Sequence, residues 1–240
     1  MSVVIGGRTN YGISIGILML HTKFPRLPGD IGNASTFAFP VSYRVVEGAC
    51  ARRVVMEGDP SLIVPFIDAA KGLIAEGVRT VVTSCGFLAL FQSELSEALT
   101  VPVYTSSLLQ VPLVHAITGR RRVGVLTANS DALTDRHFAA VGAAGIPVAV
   151  EGIQHSHFGK VLLADLAEFD RDEAEKNVVD AAKRLVERDC DIGAIVLECT
   201  NLPPFAKAVQ DVTGLPVFDI VTLTNMAYAT TLRRVFAGDL

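Results

Sequence analysis

Residues 80–104, TVVTSCGFLALFQSELSEALTVPVY, lie over residues 194–218, AIVLECTNLPPFAKAVQDVTGLPVF, without a gap, an offset of 114 residues. Val82 meets Val196, Cys85 meets Cys199, Leu88 meets Leu202, Phe91 meets Phe205, and Pro102-Val103 meets Pro216-Val217. A looser echo sets Ile15-Gly16-Ile17-Leu18 against Val123-Gly124-Val125-Leu126. Any two strand–helix–strand units share apolar positions, so the Val, Leu and Phe matches carry little weight. The chain has only 4 cysteines and 11 prolines, and it is these scarcer residues that decide the case for an internal duplication.

The pattern around the repeat is strand and helix in alternation. Strands are expected at 13–20, 79–84, 101–104, 122–126, 147–150 and 193–197. Helices are expected at 59–76, 88–99, 111–117, 131–144, 170–188, 202–213 and 221–236. Asp59-Pro60 reads as an N-cap with proline in the first turn, and Asp170 with Glu173 as a capping box. Such alternation predicts two similar three-layer α/β domains with mainly parallel sheets, related by a pseudo-twofold axis, with the active site in the cleft between them. Residues 1–117 with 221–240 would form the half carrying Cys85, and 118–220 the half carrying Cys199. Two connections are long, 21–40 and 154–169, and ligands of parallel sheets bind beyond the carboxyl ends of the strands.

Composition narrows the classes. A chain of 240 residues that is 50% hydrophobic can bury real cores. Its net charge of −4 offers nothing to a polyanion, and the basic run Gly119-Arg120-Arg121-Arg122 reads as a solvated connection, so no nucleic-acid partner is expected. No apolar run reaches membrane-spanning length, so no membrane partner is expected. The start MSVVIGGRTNYG lacks the basic and apolar blocks of a signal peptide, and a cytoplasmic location with reduced thiols is expected. No C-x-x-C pair occurs, so no zinc is expected. Cys50 and Cys190 have no repeat partner and read as structural.

Cys85 and Cys199 each close a strand at the same place in their own half. Two halves facing across a pseudo-twofold axis would aim both thiols into one cleft, with Gly86 giving the first a tight exit and an exposed amide. Two thiols on opposite sides of a small carbon acid can take a proton from one face and return one to the other, which inverts the centre. A helix N-terminus beside each sulfur would lower its pKa toward neutrality, and free amides there would hold a carboxylate. Glu198, just before Cys199, would act in the opposite direction if charged.

With Cys199-Thr200 opening a helix and Cys85 at the matching place in the first half, the chain resembles the aspartate/glutamate racemase superfamily over most of its length. That resemblance implies a cofactor-independent isomerase, a racemase or epimerase, acting on a small amino-acid-type or hydantoin-type acid by proton transfer between Cys85 and Cys199. Two departures shape the expected site. Amino-acid racemases usually follow the first cysteine with Asn-Thr, where this chain has Gly86-Phe87, and glutamate racemases follow the second Cys-Thr with histidine, where it has Asn201. Carboxylate binding would then fall to backbone amides, Gly86 and Ser84 on one side and Thr200 and Asn201 on the other. Glutamate is not the expected substrate. The superfamily also includes maleate cis–trans isomerases and arylmalonate decarboxylases, and these activities, or a non-catalytic small-carboxylate binder, are the alternatives.

Further candidates follow the first strand of each half: Asp30 and Asn33 in the glycine-rich loop 27–33, and Thr127, with Asn129, after the matching strand. His155 and His157 lack a third ligand and read as solvated or packing residues. A cysteine hydrolase built on Cys85 is disfavoured because T-S-C-G-F has no glycine two residues before the thiol. The run 140–145 is a helix end rather than a phosphate loop. A homodimer is the default assembly.

Overall fold

The computed structural model describes residues 3–238, so the outermost residues of the expected domain ranges, 1–2 and 239–240, lie outside the described residues. The first unit runs β1 (Ile15–Met19), β2 (Val41–Val45), α1 (Ile63–Ala75), β3 (Thr80–Thr83), α2 (Gln92–Ala98), β4 (Val103–Tyr104) and α3 (Val111–Ile117). The second runs β5 (Arg122–Thr127), α4 (Asp135–Ala140), β6 (Val148–Gly152), α5 (His157–Ala164), α6 (Arg171–Arg188), β7 (Ile192–Leu197), α7 (Ala206–Thr213) and β8 (Val217–Phe218). A last helix, α8 (Ile220–Thr231), follows.

The strands form two four-stranded sheets of the same order, β2-β1-β3-β4 and β6-β5-β7-β8, and every pairing is parallel. The duplication shows in the register. Val81 pairs with Val103 and Val82 with Tyr104 in one sheet, while Ile195 pairs with Val217 and Val196 with Phe218 in the other. The central strands match in the same way. Gly16 of β1 lets Leu73 and Val78 press onto the sheet, and Gly124 of β5 does so for Leu185 and Ile192, with an added Cβ meeting carbon at 2.9 Å and 3.0 Å respectively.

Each sheet is covered on both faces. Ile15, Ile17 and Val82 of the first pack against Ile31, Phe37 and, from α8, Ile220 and Leu223. Leu126, Ile195 and Leu197 of the second pack against Phe158, Val178, Leu185 and Phe205. The remaining faces share one apolar cluster, in which Leu18, Phe66 and Val81 join Leu108, Val111, Phe138, Val123 and Val196. The two halves therefore meet through core.

Several elements differ from the sequence reading. The helices expected at 88 and 202 begin with tight 3-10 turns, Gly86–Phe91 and Pro203–Phe205, because Cys85 is extended and Pro203-Pro204 lack amide hydrogens. The helix expected over 131–144 is confined to α4, which Thr134 caps, while Gly142 and Gly145 turn the chain with φ of 75° and 74°. At Asp170 the side chain accepts from the Glu173 amide. Strand β2 and a wide helical turn at Arg52–Met56 were not anticipated, and the loop 154–169 contains α5. Cys190 is exposed in the turn before β7, so packing is not its role, and Cys50 is half-buried. His155 and His157 are exposed. Among the described residues no helix is long and apolar enough to cross a membrane.

Candidate active site between the two sheets

In each sheet the first and third strands of the half lie side by side at the centre, so chain connections leave in opposite directions and open a crevice at their carboxyl ends. The backbone makes the same closing bond in both crevices: the Ser84 amide donates to Leu18 O at 2.9 Å, and the Glu198 amide to Leu126 O at 2.8 Å. One residue further on, Cys85 and Cys199 emerge. Both line one narrow cavity with about 440 Å³ of empty space, counting its open mouth. Leu20, Phe24, Val55, Phe87, Leu162 and Leu163 make its walls largely apolar, and Arg26 is the cation among its lining residues.

The halves are joined across the cleft by the residues that flank the cysteines. Thr200 Oγ1 donates to Ser84 O at 2.6 Å, so the residue after one cysteine holds the residue before the other. The counterpart is Gly86 against Glu198, where a Cβ would overlap both Oε1 and the carbonyl oxygen of Glu198. Gly86 does not have a positive φ. Its glycine is required by this close approach, not by the tight exit expected from sequence. Ser107 Oγ adds a bond to Leu197 O at 2.7 Å.

Of the sequence candidates, Cys85, Cys199, Ser84, Gly86, Thr200 and Asn201 line the cavity. The side chain of Ser84 accepts from the Leu20 amide at 2.9 Å, and Asn201 Nδ2 donates to Asp30 Oδ2 at 2.7 Å. Asp30, Asn33 and Thr127 stand behind the lining. Asn33 caps a short turn and donates to Arg26 O. Thr127 donates to Glu198 Oε2 at 2.7 Å, and Asn129 contacts Met56 and the Asp131 amide.

Asp30 is the hinge of a network that the sequence concealed. Its buried carboxylate receives Arg26 Nη1 and the Gly32 amide on Oδ1, both at 2.7 Å, and Asn201 on Oδ2. Arg26 Nη2 reaches Thr22 Oγ1, and its guanidinium lies 4.8 Å from the centre of the Phe24 ring. The loop after β1 is also tied to the second half, since Asp165, in left-handed backbone at the end of α5, accepts from the amides of Lys23 and Phe24. Asp30→Ala would leave a guanidinium that is 14% exposed without its partner. A loss of about 3–5 kcal/mol in urea unfolding is expected, against the near-zero cost of losing a surface pair.

The thiols are not held near neutrality. Burial, reinforced by the Glu198 carboxylate, pushes Cys85 up to about 12, although the Phe87 and Leu88 amides and Arg26 work in the opposite direction. Cys199 is raised well above the ordinary thiol value by burial, then by Glu198, Cys85 and Asp30, with the Asn201 amide opposing. The helix-terminus amides anticipated from sequence are present and favour the thiolates, but desolvation outweighs them. Glu198 itself is fully buried, and burial raises its carboxyl to about 7, against the lowering effect of the Thr127 bond.

Comparison with known proteins agrees with this architecture. A family model described as Asp/Glu/hydantoin racemase matches residues 107–227. A dimethylsulfoniopropionate lyase of Durusdinium sp. clade D is 33% identical over 217 residues, covering 87% of this chain and 71% of that protein. Dimethylsulfoniopropionate lyase 7 of Emiliania huxleyi is 32% identical over 233 residues, covering 88% of this chain but only 65% of its own length, so the chain spans less than two thirds of that relative. Unliganded arylmalonate decarboxylase shares the fold, with a TM-score of 0.61 at 19% identity over 91% of this chain and 92% of that one. Two equivalent parallel sheets, matched strand ends and these relatives place the chain in one family: it belongs to the Asp/Glu/hydantoin racemase family.

Proposed function

We propose that the chain is an enzyme that removes a proton next to the carboxylate of a small acid held between Cys85 and Cys199, and that the outcome is elimination from a dimethylsulfoniopropionate-type substrate. The observation that carries the reading is the convergence of two equivalent strand-end thiols on one small apolar cavity. The relatives named as dimethylsulfoniopropionate lyases favour elimination over inversion.

The walls support the same choice. Asp30, the acceptor the sequence offered to an ammonium group, stands behind the lining with both oxygens engaged by Arg26, Gly32 and Asn201, which leaves Glu198 Oε1 as the cavity's unpartnered carboxylate oxygen among the described residues. A dimethylsulfonium has no N–H or O–H to satisfy, and apolar and aromatic surfaces such as Phe24 and Phe87 suit it. Amides at the Cys85 and Cys199 turns, with Arg26, are the groups available to a carboxylate. In the step itself one cysteine thiolate takes the Cα proton. The electron pair forms the Cα–Cβ double bond, and the Cβ–S bond breaks with its pair leaving on neutral dimethyl sulfide. The unsaturated acid departs, and the proton on the thiol returns to solvent.

A second reading, racemisation or epimerisation of an amino-acid-type or hydantoin-type acid, is favoured by the second thiol, since elimination requires one base only. Both are tested by incubating the protein in D₂O with dimethylsulfoniopropionate and with a panel of chiral amino acids and hydantoins. Dimethyl sulfide released with an equal amount of unsaturated acid supports elimination. Deuterium entering Cα with loss of optical activity supports the second reading, and neither result from any substrate overturns both.

A further inference from the structure

Among the described residues Glu198 is the one carboxylate lining the cavity, and the scheme above leaves it idle. It is wholly buried. Thr127 satisfies Oε2, but Oε1 has no hydrogen-bond partner among the described residues. An uncompensated carboxylate charge in such a place is costly, so a proton on Oε1 is the cheaper state. The side chain is wedged against Gly86, the neighbour of Cys85, and it precedes Cys199 in the chain. It thus lies beside both thiols at once, and a charge on it opposes ionisation of either.

We propose that Glu198 is a positioning residue that governs the two thiols: Cys85 and Cys199 release their protons more readily while Glu198 is neutral than while it is charged. The inference takes from the proposed function only the reactivity of the two thiols, not the substrate. The groups around Glu198 are few. Cys85 faces it from the turn after β3, Cys199 from the end of β7, and β5 supplies only the Thr127 hydroxyl. The loop after β1 brings Arg26, which favours a thiolate at Cys85, and Asp30, which opposes one at Cys199. From α4, His137 packs edge-on against Phe87. The raised Glu198 pKa, about 7, sets the window. Below it the carboxyl is neutral and places no charge beside the thiols, and above it the charge appears and thiolate formation is suppressed.

The test is the rate of iodoacetamide alkylation at Cys85 and Cys199, followed by peptide mass spectrometry from pH 5.5 to 9 in the full chain and in Glu198→Gln. A neighbouring charge moves a thiol by at least about one pH unit. The variant-to-parent rate ratio is therefore expected to be close to one at pH 5.5 and to rise to roughly tenfold at pH 8, as thiolate fraction follows pKa. A ratio that is the same at every pH would reveal a merely structural role and overturn the proposal, as would a ratio falling with pH. Thr127→Val keeps the carboxyl but removes the bond that favours its charged form. It should shift the onset of suppression to higher pH, and no shift there would count equally against the idea. Alkylation is read without turnover, so an inactive protein with the expected ratio would overturn the proposed reaction while leaving this coupling intact.

Discussion

Cys85→Ser and Cys199→Ser are the substitutions expected to cost most in turnover, at least about 10²-fold and as much as 10⁴-fold for the cysteine that acts as base. The replacement is nearly isosteric, and both thiols are already buried, so the fold should survive it. What changes is acidity. A hydroxyl in the same apolar surroundings ionises far less readily than a thiol that burial has already pushed up to about 12 at Cys85. The parent enzyme is therefore expected to gain activity as pH rises beyond the range in which Glu198 titrates, since the thiolate fraction there increases about tenfold per unit below the thiol pKa. Measuring kcat/KM against pH for parent and both variants would also divide the two readings. Elimination predicts one variant close to inactive and the other less impaired, whereas inversion predicts that both lose conversion of one enantiomer into the other. Turnover near the parent level in both variants would remove the thiols from the mechanism altogether.

Gly86→Ala is expected to damage the site through a single added methyl. The added carbon would overlap the Oε1 and the carbonyl oxygen of Glu198, and the carbonyl belongs to backbone that β5 holds in register. Neither partner can retreat. Glu198 is fully buried, and behind it Thr127 holds Oε2. Overpacking of this kind costs about 1–3 kcal/mol or more, which for a chain of this size lowers the melting temperature by roughly 2–4 °C per kcal/mol. Activity should fall further than stability, because the strain is relieved by parting the halves where Cys85 and Cys199 face the cavity. Gly214→Ala is the control. Its Cβ would meet nothing within 4 Å, so any loss there reflects only its φ of 67°. A Gly86→Ala protein that melts with the parent and turns over normally would show that the contact is dispensable.

Much of the fold was legible because it is written twice. The Cys and Pro matches between 80–104 and 194–218 set both the duplication and the register that the two sheets share. Strand β2 escaped because Val41–Val45 is an edge strand of mixed exposure containing Ser and Arg, without the apolar run of its buried neighbours. The site was legible only where chemistry follows from local sequence. Cys85 and Cys199 could be read as strand-end thiols, and Glu198 as a neighbour opposing a thiolate at Cys199, but desolvation and the reach of Glu198 to Cys85 come from the packed halves. The same is true of Arg26. Nothing in loop 21–40 distinguishes it from Lys23 until Asp30 and Thr22 fix it beside the cavity. Gly86 was noticed for the wrong reason, since its constraint lies 112 positions away in Glu198.

The position of α8 has a consequence for the order in which the protein is made. Ile220 and Leu223 cover part of the face of the first sheet formed by Ile15, Ile17 and Val82. During synthesis those strands leave the ribosome with that face partly bare, and they wait for more than a hundred further residues before their cover exists. The second sheet has no such delay, because Val178, Leu185 and Phe205 come from its own stretch of chain. The later half therefore draws its cover from its own stretch of chain, while the earlier half keeps part of one face uncovered until α8 has been made.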